Sequence, residues 1–435
     1  MAAIDASIYE EILLESADRS KSVDITGGAT SIDYFEDIFS PTVTAKIQVY
    51  TTGNAIAGSG GELQTIYNGL PLRGGERVAM KIKGNTSDNP GLDFSTNEDD
   101  YLYVSGVSNI ISKTQKETFT LNLVSRECIT NETSRVGRKF PTTLQISESV
   151  DVILKEYLAT NKEIEIDTTQ NTYGFIGNMR KPFTLLTWLA AKSVPESSNE
   201  DGTAGFVFYQ TKDAYKFKSL DDLISQPAKE IYTYTEVSKK EDDHDRNIIT
   251  YTTSRNEDII EKLRLGAYAS NRVFYNPLNF TFPTKTFKLD DYAGNSKNLG
   301  KQISLPPLTK DGKDTLGDLP SRVITQILDV GTFEVGVSTA SNADPMQYQS
   351  QALMRYNTLF TQTLNITIPS NTNLSAGDII ECQFPLSSTE NTNEYDPEQS
   401  GLYLIKELCH HFDSDGSWTA MKVIRDTFGR YGTNT

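Results

Sequence analysis

At 435 residues the chain has the length of about three domains. With 41 Lys and Arg against 58 Asp and Glu it carries a formal net charge of −17, which disfavours a general nucleic-acid binder or a polybasic membrane binder. Three scattered cysteines (Cys128, Cys382, Cys409) make no disulfide framework and point to a reducing compartment. No apolar run of ~18 residues predicts a transmembrane helix, and the acidic opening MAAIDASIYEEILLESADRS lacks the cationic and long apolar stretches of a secretory signal.

Apolar and polar residues alternate over 43–50, 77–82 and 119–124, the period of a half-buried strand, and Thr and Tyr suit a pleated surface. Short strands divided by Gly, Asn, Asp and Ser clusters predict small sandwiches or barrels. The middle differs. Val150, Ile153, Leu154, Tyr157 and Leu158 lie on one helical face, with Ser147 as the expected N-cap and Glu148 and Asp151 in the first turn. A second helix is expected from Pro182, carrying Leu185, Leu186, Trp188 and Leu189 and stopping before Pro195. A hairpin follows, 205–209 with 215–217, turning near Lys212 and Asp213. Residues 126–228 therefore read as an α+β domain inserted in a β-rich chain.

Strands resume at 230–237 and 247–254, and Asn256 is the expected cap of a short helix (Ile259, Ile260, Leu263) ended by Gly266. The stretch 290–342 is rich in Lys, Asp, Gly and Pro and reads as an extended insertion or arm. A helix with Ala352, Leu353 and Tyr356 leads back to a strand at 363–368.

Two distant parts of the chain are similar. Gly75-Glu76-Arg77-Val78, Tyr101-Leu102-Tyr103-Val104 and residues 118–127 find counterparts in Gly377-Asp378-Ile379-Ile380, Gly401-Leu402-Tyr403-Leu404 and residues 417–426, at separations that agree within about two residues. Each copy opens a strand with a Gly-acid turn and closes on Arg plus an acid (Arg126-Glu127, Arg425-Asp426). The expected architecture is mainly β: a first tube-like barrel (1–125), an α+β domain (126–228), a second barrel (229–290 and 355–435) and an insertion with a helix (291–354). Three such chains in a ring present six similar barrels, able to join a sixfold partner to a threefold one.

Several segments carry a family resemblance: Tyr34-Phe35-Glu36-Asp37-Ile38-Phe39-Ser40-Pro41, Gly177-Asn178-Met179-Arg180-Lys181-Pro182-Phe183 with Trp188-Leu189, residues 204–209, 266–270 and 374–378, and the ending 400–405 to Arg425-Asp426-Thr427-Phe428-Gly429. In this order and spacing the chain resembles the baseplate central hub proteins of T-even-like contractile-tailed bacteriophages; residues 290–342 depart most from them. The resemblance implies a homotrimeric ring in the virion tail baseplate, assembled in the host cytoplasm. Its partners are the tail tube or tube-initiator proteins, a trimeric cell-puncturing spike and the surrounding baseplate wedge proteins. DNA passes through the lumen without specific binding, and the chain inserts in no membrane. An acidic or polar channel is expected, since phosphate is held by Lys and Arg and repelled by carboxylates. The alternatives are a tube initiator or injection-system spike base, a tail-associated cell-wall hydrolase, or an acidic adhesin module.

Sites of chemistry are sparse. Cys409 and His411 share a strand face with His410 opposed, and Cys382 lies on a nearby strand, but zinc spacing is lacking and a buried cysteine with ordinary histidines is the favoured reading. Asp413-Ser414-Asp415-Gly416 reads as a hairpin turn rather than a calcium loop. Gly58-Ser59-Gly60-Gly61 has no following Gly-Lys-Ser/Thr and reads as a surface loop. His244 lies in a mixed-charge turn, and no Gly-x-Ser-x-Gly elbow is present. The abundant aromatics sit at strand-alternating positions, as barrel cores need. No catalytic, cofactor-binding or metal-ligating residue is assigned, no cofactor is expected, and the chain reads as non-enzymatic.

Overall fold

The alternating N-terminal segments become strands around one apolar core. The computed structural model describes residues 3–52, 56–57, 62–86, 89–113, 116–196, 203–235, 241–293, 297–301, 305, 307–308, 313–328, 348–386 and 395–429. The first module contains β1 (Ile8–Glu15), β2 (Ser22–Asp24), β3 (Ala29–Asp37), β4 (Thr44–Thr51), β5 (Arg77–Lys83), β6 (Gly91–Phe94), β7 (Leu102–Lys113) and β8 (Lys116–Ser125). They pair in the order β3-β4-β8-β7-β5-β1-β2, with β6 on β5. Period-2 alternation sends Ile12, Ile32, Ile47, Met80, Phe119 and Leu121 into one core, each worth ~1.5–3 kcal/mol when fully buried.

The middle domain starts with α1 (Arg126–Thr133) and α2 (Ile146–Val152) and continues with β9 (Glu163–Ile166), α3 (Pro182–Ala190), β10 (Phe206–Gln210), β11 (Ala214–Ser219) and α4 (Leu220–Ser225). Strand β11 pairs antiparallel with β10 and parallel with β9. Pro182 opens α3 as its spacing predicts. The cap of α2 falls two residues earlier than Ser147: Gln145 is the N-cap, and Glu148 reaches back to accept its N–H at 3.0 Å. Ser147 instead exchanges bonds with Thr169, whose Oγ1 accepts the Ser147 N–H at 3.0 Å. The helical face then runs on through a π turn, Ile153–Tyr157.

The last part contains β12 (Ile231–Tyr234), β13 (Asn247–Ile248), β14 (Thr250–Asn256), α5 (Ile259–Leu265), β15 (Ala269–Tyr275), β16 (Thr284–Lys288), β17 (Arg322–Ile327), α6 (Tyr348–Leu359), β18 (Gln362–Pro369), β19 (Ile379–Gln383), β20 (Gly401–Asp413) and β21 (Ser417–Arg425). The second module pairs as β14-β18-β21-β20-β19-β12, with β13 on the far side of β12. Asn256 does not cap α5, because it still pairs with Gln362 in the ladder; the cap is Asp258, whose carboxylate accepts the Glu261 N–H at 2.9 Å. Gly266 ends α5 with φ +70°, as expected of a left-handed C-cap.

The insertion is wider than its composition suggests. Strands β15 and β16, which sequence patterning places in the second barrel, leave it and form a separate sheet with β17 in the order β16-β15-β17. Strand β17 lies inside the stretch expected to be an extended arm. Everything between β14 and β18 is thus an excursion from one hairpin, where the first module has only the short turn between β3 and β4.

Strand for strand, β1, β3, β4, β5, β7 and β8 correspond to β12, β14, β18, β19, β20 and β21, in the same chain order and the same spatial order. Their opening turns use the same bonds. The Gly75 N–H donates to the Val104 carbonyl (2.8 Å), and the Val104 N–H to the Glu76 carbonyl (2.8 Å). The Gly377 N–H donates to the Ile405 carbonyl (2.9 Å), and the Ile405 N–H to the Asp378 carbonyl (2.9 Å). Each acid also accepts the N–H three residues before it: Arg73 by Glu76 at 2.7 Å and Ser375 by Asp378 at 2.7 Å. Among these six strands the two copies differ in one pairing: β1 runs antiparallel to β5, whereas β12 runs parallel to β19.

Both turn glycines need positive φ, +92° at Gly75 and +91° at Gly377, but their surroundings differ. A Cβ at Gly75 meets nothing nearer than Ala17 Cβ at 3.9 Å, whereas at Gly377 it collides with Tyr209 Oη. Gly75→Ala is therefore expected to lose only the backbone penalty, on the order of 1–2 kcal/mol. Gly377→Ala should lose roughly 1–3 kcal/mol more from overpacking. Urea unfolding of the two variants checks the difference; equal losses contradict it.

Candidate functional site at the junction of the modules

The two modules share one sheet. Strand β20 pairs antiparallel with β3, from Glu407 opposite Asp37 to Asp413 opposite Ser31. Alternation divides the junction into two faces. Leu408, His410 and Phe412 point with Ile32, Tyr34 and Glu36 toward the interior, and all six are buried. Phe412, although it belongs to the second module, completes the core of the first. The rings of Tyr34 and His410 lie parallel, 6.2 Å apart.

Glu36 is the polar centre of the buried face. Its carboxylate accepts Tyr34 Oη at 3.0 Å, the Lys212 N–H at 2.6 Å and the Ala376 N–H at 2.8 Å. These donors come from the first module, from the β10–β11 turn of the middle domain and from the turn that opens β19. One side chain thereby ties three parts of the chain together. Burial lifts its pKa to about 7, against the lowering effect of these donors and of the Lys212 charge. Nearby His410 is kept neutral by burial, its pKa lowered to about 3, while Nδ1 contacts Thr419 Oγ1 (3.0 Å) and Nε2 the Leu374 carbonyl (3.3 Å).

The opposite face is polar and partly open. Glu407, Cys409, His411 and Asp413 stand beside Ser31, Asp33, Phe35 and Asp37. His411 lies between Asp33 (2.5 Å) and Asp413 (3.0 Å) and stacks on Trp418 with ring centroids 4.1 Å apart. Burial alone would depress its pKa, but the bonds to Asp413 and Asp33 outweigh it and raise the pKa above the ordinary value. Lys406 pairs with Asp37 (2.6 Å) and Glu407 (2.8 Å). A shallow groove of about 340 Å³ runs along this face, bordered by Phe35, Asp37, Thr44, Lys46 and Glu407.

The residues singled out from sequence scatter. Cys409 and His411 share the open face and His410 the buried one, as strand alternation requires. Cys382 lies in the separate core of the second module, where burial pushes its thiol up to about 12. Cys409 is also pushed up to about 12, by burial and then by Asp33. Among the described residues no group of three or more His, Cys, Asp or Glu side chains is arranged to hold a metal ion. Asp413 caps a hairpin turn, accepting the Asp415 N–H (2.8 Å) and the Gly416 N–H (2.9 Å). His244 lies in a 3-10 turn, Glu241–Arg246. Gly58, Ser59, Gly60 and Gly61 fall outside the described residues. Sequence reasoning did not single out Glu36, although an acid in the inward series Ile32, Tyr34, Glu36, Ile38 was a readable signal.

No protein-family model matches the chain. A probable baseplate hub protein of Vibrio phage KVP40 is 22% identical over 300 residues, which cover 65% of this chain and 66% of that protein, just under two thirds of its length. The resemblance to phage baseplate hub proteins holds. The fold is shared with a tail protein from Neisseria meningitidis MC58, at TM-score 0.55 and 9% identity, covering 96% of both chains. It is also shared with the 43 kDa tail protein of prophage MuSo2 from Shewanella oneidensis, at TM-score 0.52 and 11% identity, covering 96% of this chain and 99% of that one.

A pH test follows for Glu36. The folded state holds its proton more tightly than the unfolded chain, so its contribution to stability is lost as pH rises from about 4.5 to about 7. His411, with a raised folded pKa, acts in the same direction above its ordinary value, so the informative quantity is the difference from a Glu36→Gln variant. The variant side chain is neutral at both pH values, and the variant is expected to lack the Glu36 part of the slope, so its stability relative to the parent rises between pH 5 and pH 8. Urea unfolding of both proteins at pH 5 and pH 8 measures this; an unchanged slope contradicts the assignment.

Proposed function

We propose that the chain is the structural hub of a contractile-tail baseplate, non-enzymatic, located in the virion tail. In this reading each of the two corresponding strand sets is a tube-type β-barrel domain. The first is residues 1–125, and the second joins 229–256 to 362–429. The α+β domain, 126–228, lies between them in the chain, and 257–361 is an insertion. Three copies close a ring of six modules that meets a sixfold tail tube on one side and a trimeric spike on the other, with wedge proteins around it.

The observation that carries this reading is the repeated strand order, joined by a single ladder between β20 and β3. Two like modules side by side in one sheet are what one third of a six-module ring requires, and so support this reading. The named relative, a probable baseplate hub protein, supports the assignment to this part of the tail. We assign the open face of the junction, with Asp33, Asp37, Glu407 and Asp413, to the lumen. Lys46, Lys406 and Lys422 lie among these acids, and three chains together carry three times the net charge of −17. Such a surface gains little by displacing counterions from DNA, so DNA slides past it.

Light scattering of the purified protein, alone and with a candidate spike, tests the proposal. The expected mass is three times that of the chain, and electron microscopy should show an axial opening. A monomer under both conditions, or a closed particle, contradicts the ring.

A further inference from the structure

The internal repeat also specifies how one copy meets the next. Strand β20 uses both edges: β21 lies along one, while the other is taken first by β19 at 401–404 and then by β3 at 407–413. Its counterpart β7 has β8 along one edge and β5 opposite Leu102 and Tyr103 on the other. Among the described residues, no strand continues along that second edge from Gly106 to Lys113. The counterpart of β3 is β14, whose strand partner among the described residues is β18.

Exposure follows the same division. At the internal junction Ile32, Tyr34, Leu408, His410 and Phe412 are all 1% exposed or less. On β7, Ile110 and Ile111 are 41% and 57% exposed, and Ile249 just before β14 is 40% exposed. Long edges without a strand partner among the described residues are pairing templates.

The register transfers without a break. Ser105 of β7 and Lys406 of β20 are bulged at the same place against β8 and β21, which fixes the correspondence of the two strands. Beyond it, β7 carries one extra residue: Asn109 and Ile110 stand between Ser108 and Ile111, where β20 has His410 alone between Cys409 and His411. Strand β14 also carries one extra residue, Ser254, between the counterparts of Tyr34 and Phe35. The two additions fall opposite each other. Copying the β20–β3 pairs onto the outer edges then places Val107 opposite Asn256, Ser108 opposite Arg255, Ile111 opposite Thr252 and Lys113 opposite Thr250. Two independent insertions that cancel are what a conserved pairing between these edges requires.

We propose that the 106–113 edge of β7 pairs antiparallel with β14 of a second copy of this chain, repeating between subunits the ladder that β20 and β3 make within one. Three such junctions alternate with three internal ones and close a single sheet around the ring. This rests on the trimeric reading above, deepening it to named strands and a register.

The pair Ile111–Thr252 corresponds to His411–Asp33, whose side chains touch across the internal ladder at 2.5 Å. Cysteines at these two positions should therefore bond between copies. The double variant Ile111→Cys/Thr252→Cys, mildly oxidised, is expected to run as a covalent trimer on a denaturing gel. Neither the Ile111→Cys single variant nor the parent, with Cys128, Cys382 and Cys409, should do so. A trimer by light scattering with no cross-link between positions 111 and 252 overturns the pairing and leaves the ring standing; a monomer in both assays overturns both. A second pair of variants uses charge. Ile111→Lys/Thr252→Lys, at positions exposed in the single chain, sets like charges opposite one another and should weaken the trimer by at least roughly tenfold in concentration. Ile111→Lys/Thr252→Glu should restore it. A double-lysine variant that remains trimeric at the parent's concentration contradicts the proposal.

Discussion

The ladder between β3 and β20 is the constraint on which the rest of the architecture depends. Its seven residue pairs join segments near opposite ends of the chain; Asp33 and His411, which face each other, are 378 residues apart. Backbone N–H and C=O groups on the inner edge of either strand have no water to replace a lost partner, so neither module can release the other without exposing both polar backbone and an apolar core. Phe412 makes this explicit, since it is carried by the second module and fills the first. Closing so long a loop costs more entropy before any contact compensates for it than closing the local hairpins β7–β8 and β20–β21.

Two copies of one strand order have diverged most where the chain leaves the last strand. The Arg-acid ending that looks alike in sequence is not in register: Arg425 is the last residue of β21, whereas Arg126 lies one past the end of β8 and begins α1. Ser125 is the residue that corresponds to Arg425. Arg425 is wholly buried, donates to Gln362 Oε1 (2.6 Å) and to the Ser400 and Gly429 carbonyls (both 3.4 Å), and lies over the Tyr403 ring at 4.6 Å. Ser125 instead meets Thr42 Oγ1 at 2.9 Å, and the acid after Arg126, Glu127, accepts Thr160 Oγ1 at 2.9 Å within the middle domain. The same strand end serves in one copy to hold the terminal segment and in the other to launch a new domain.

What was legible in the sequence was local. Alternation located β4, β5 and β8 to within three residues, Pro182 marked α3, and the Gly-acid turns at 75 and 377 revealed the repeat because positive φ and a buried cap constrain both positions at once. What was not legible depends on distant partners. Nothing in Ser31–Asp37 announces Glu407–Asp413, since a strand edge has no side-chain signature. The insertion was misread for the same reason: β15 and β16 alternate like barrel strands, and only their pairing with β17 removes them from the barrel. Capping errors at Ser147 and Asn256 have a similar cause, because each residue was already committed, one to Thr169 and the other to the β18 ladder.

Glu36 shows why a fold of this kind retains a buried carboxyl group at some cost in desolvation. Apolar packing between two modules and a middle domain is non-directional and tolerates rotation of one part against another. Hydrogen bonds to Tyr34, to the Lys212 N–H and to the Ala376 N–H do not, because their strength falls steeply once the angles open. An error of a few degrees between modules is harmless in a monomer but is multiplied around any ring built from them. Directional bonds at the junction fix that angle, and the continuous sheet then carries it from one module to the next. A polar node at the meeting point of three parts is thus a device for orientation rather than for stability, and its placement on the core side of the ladder leaves the opposite face free to present carboxylates and lysines to solvent.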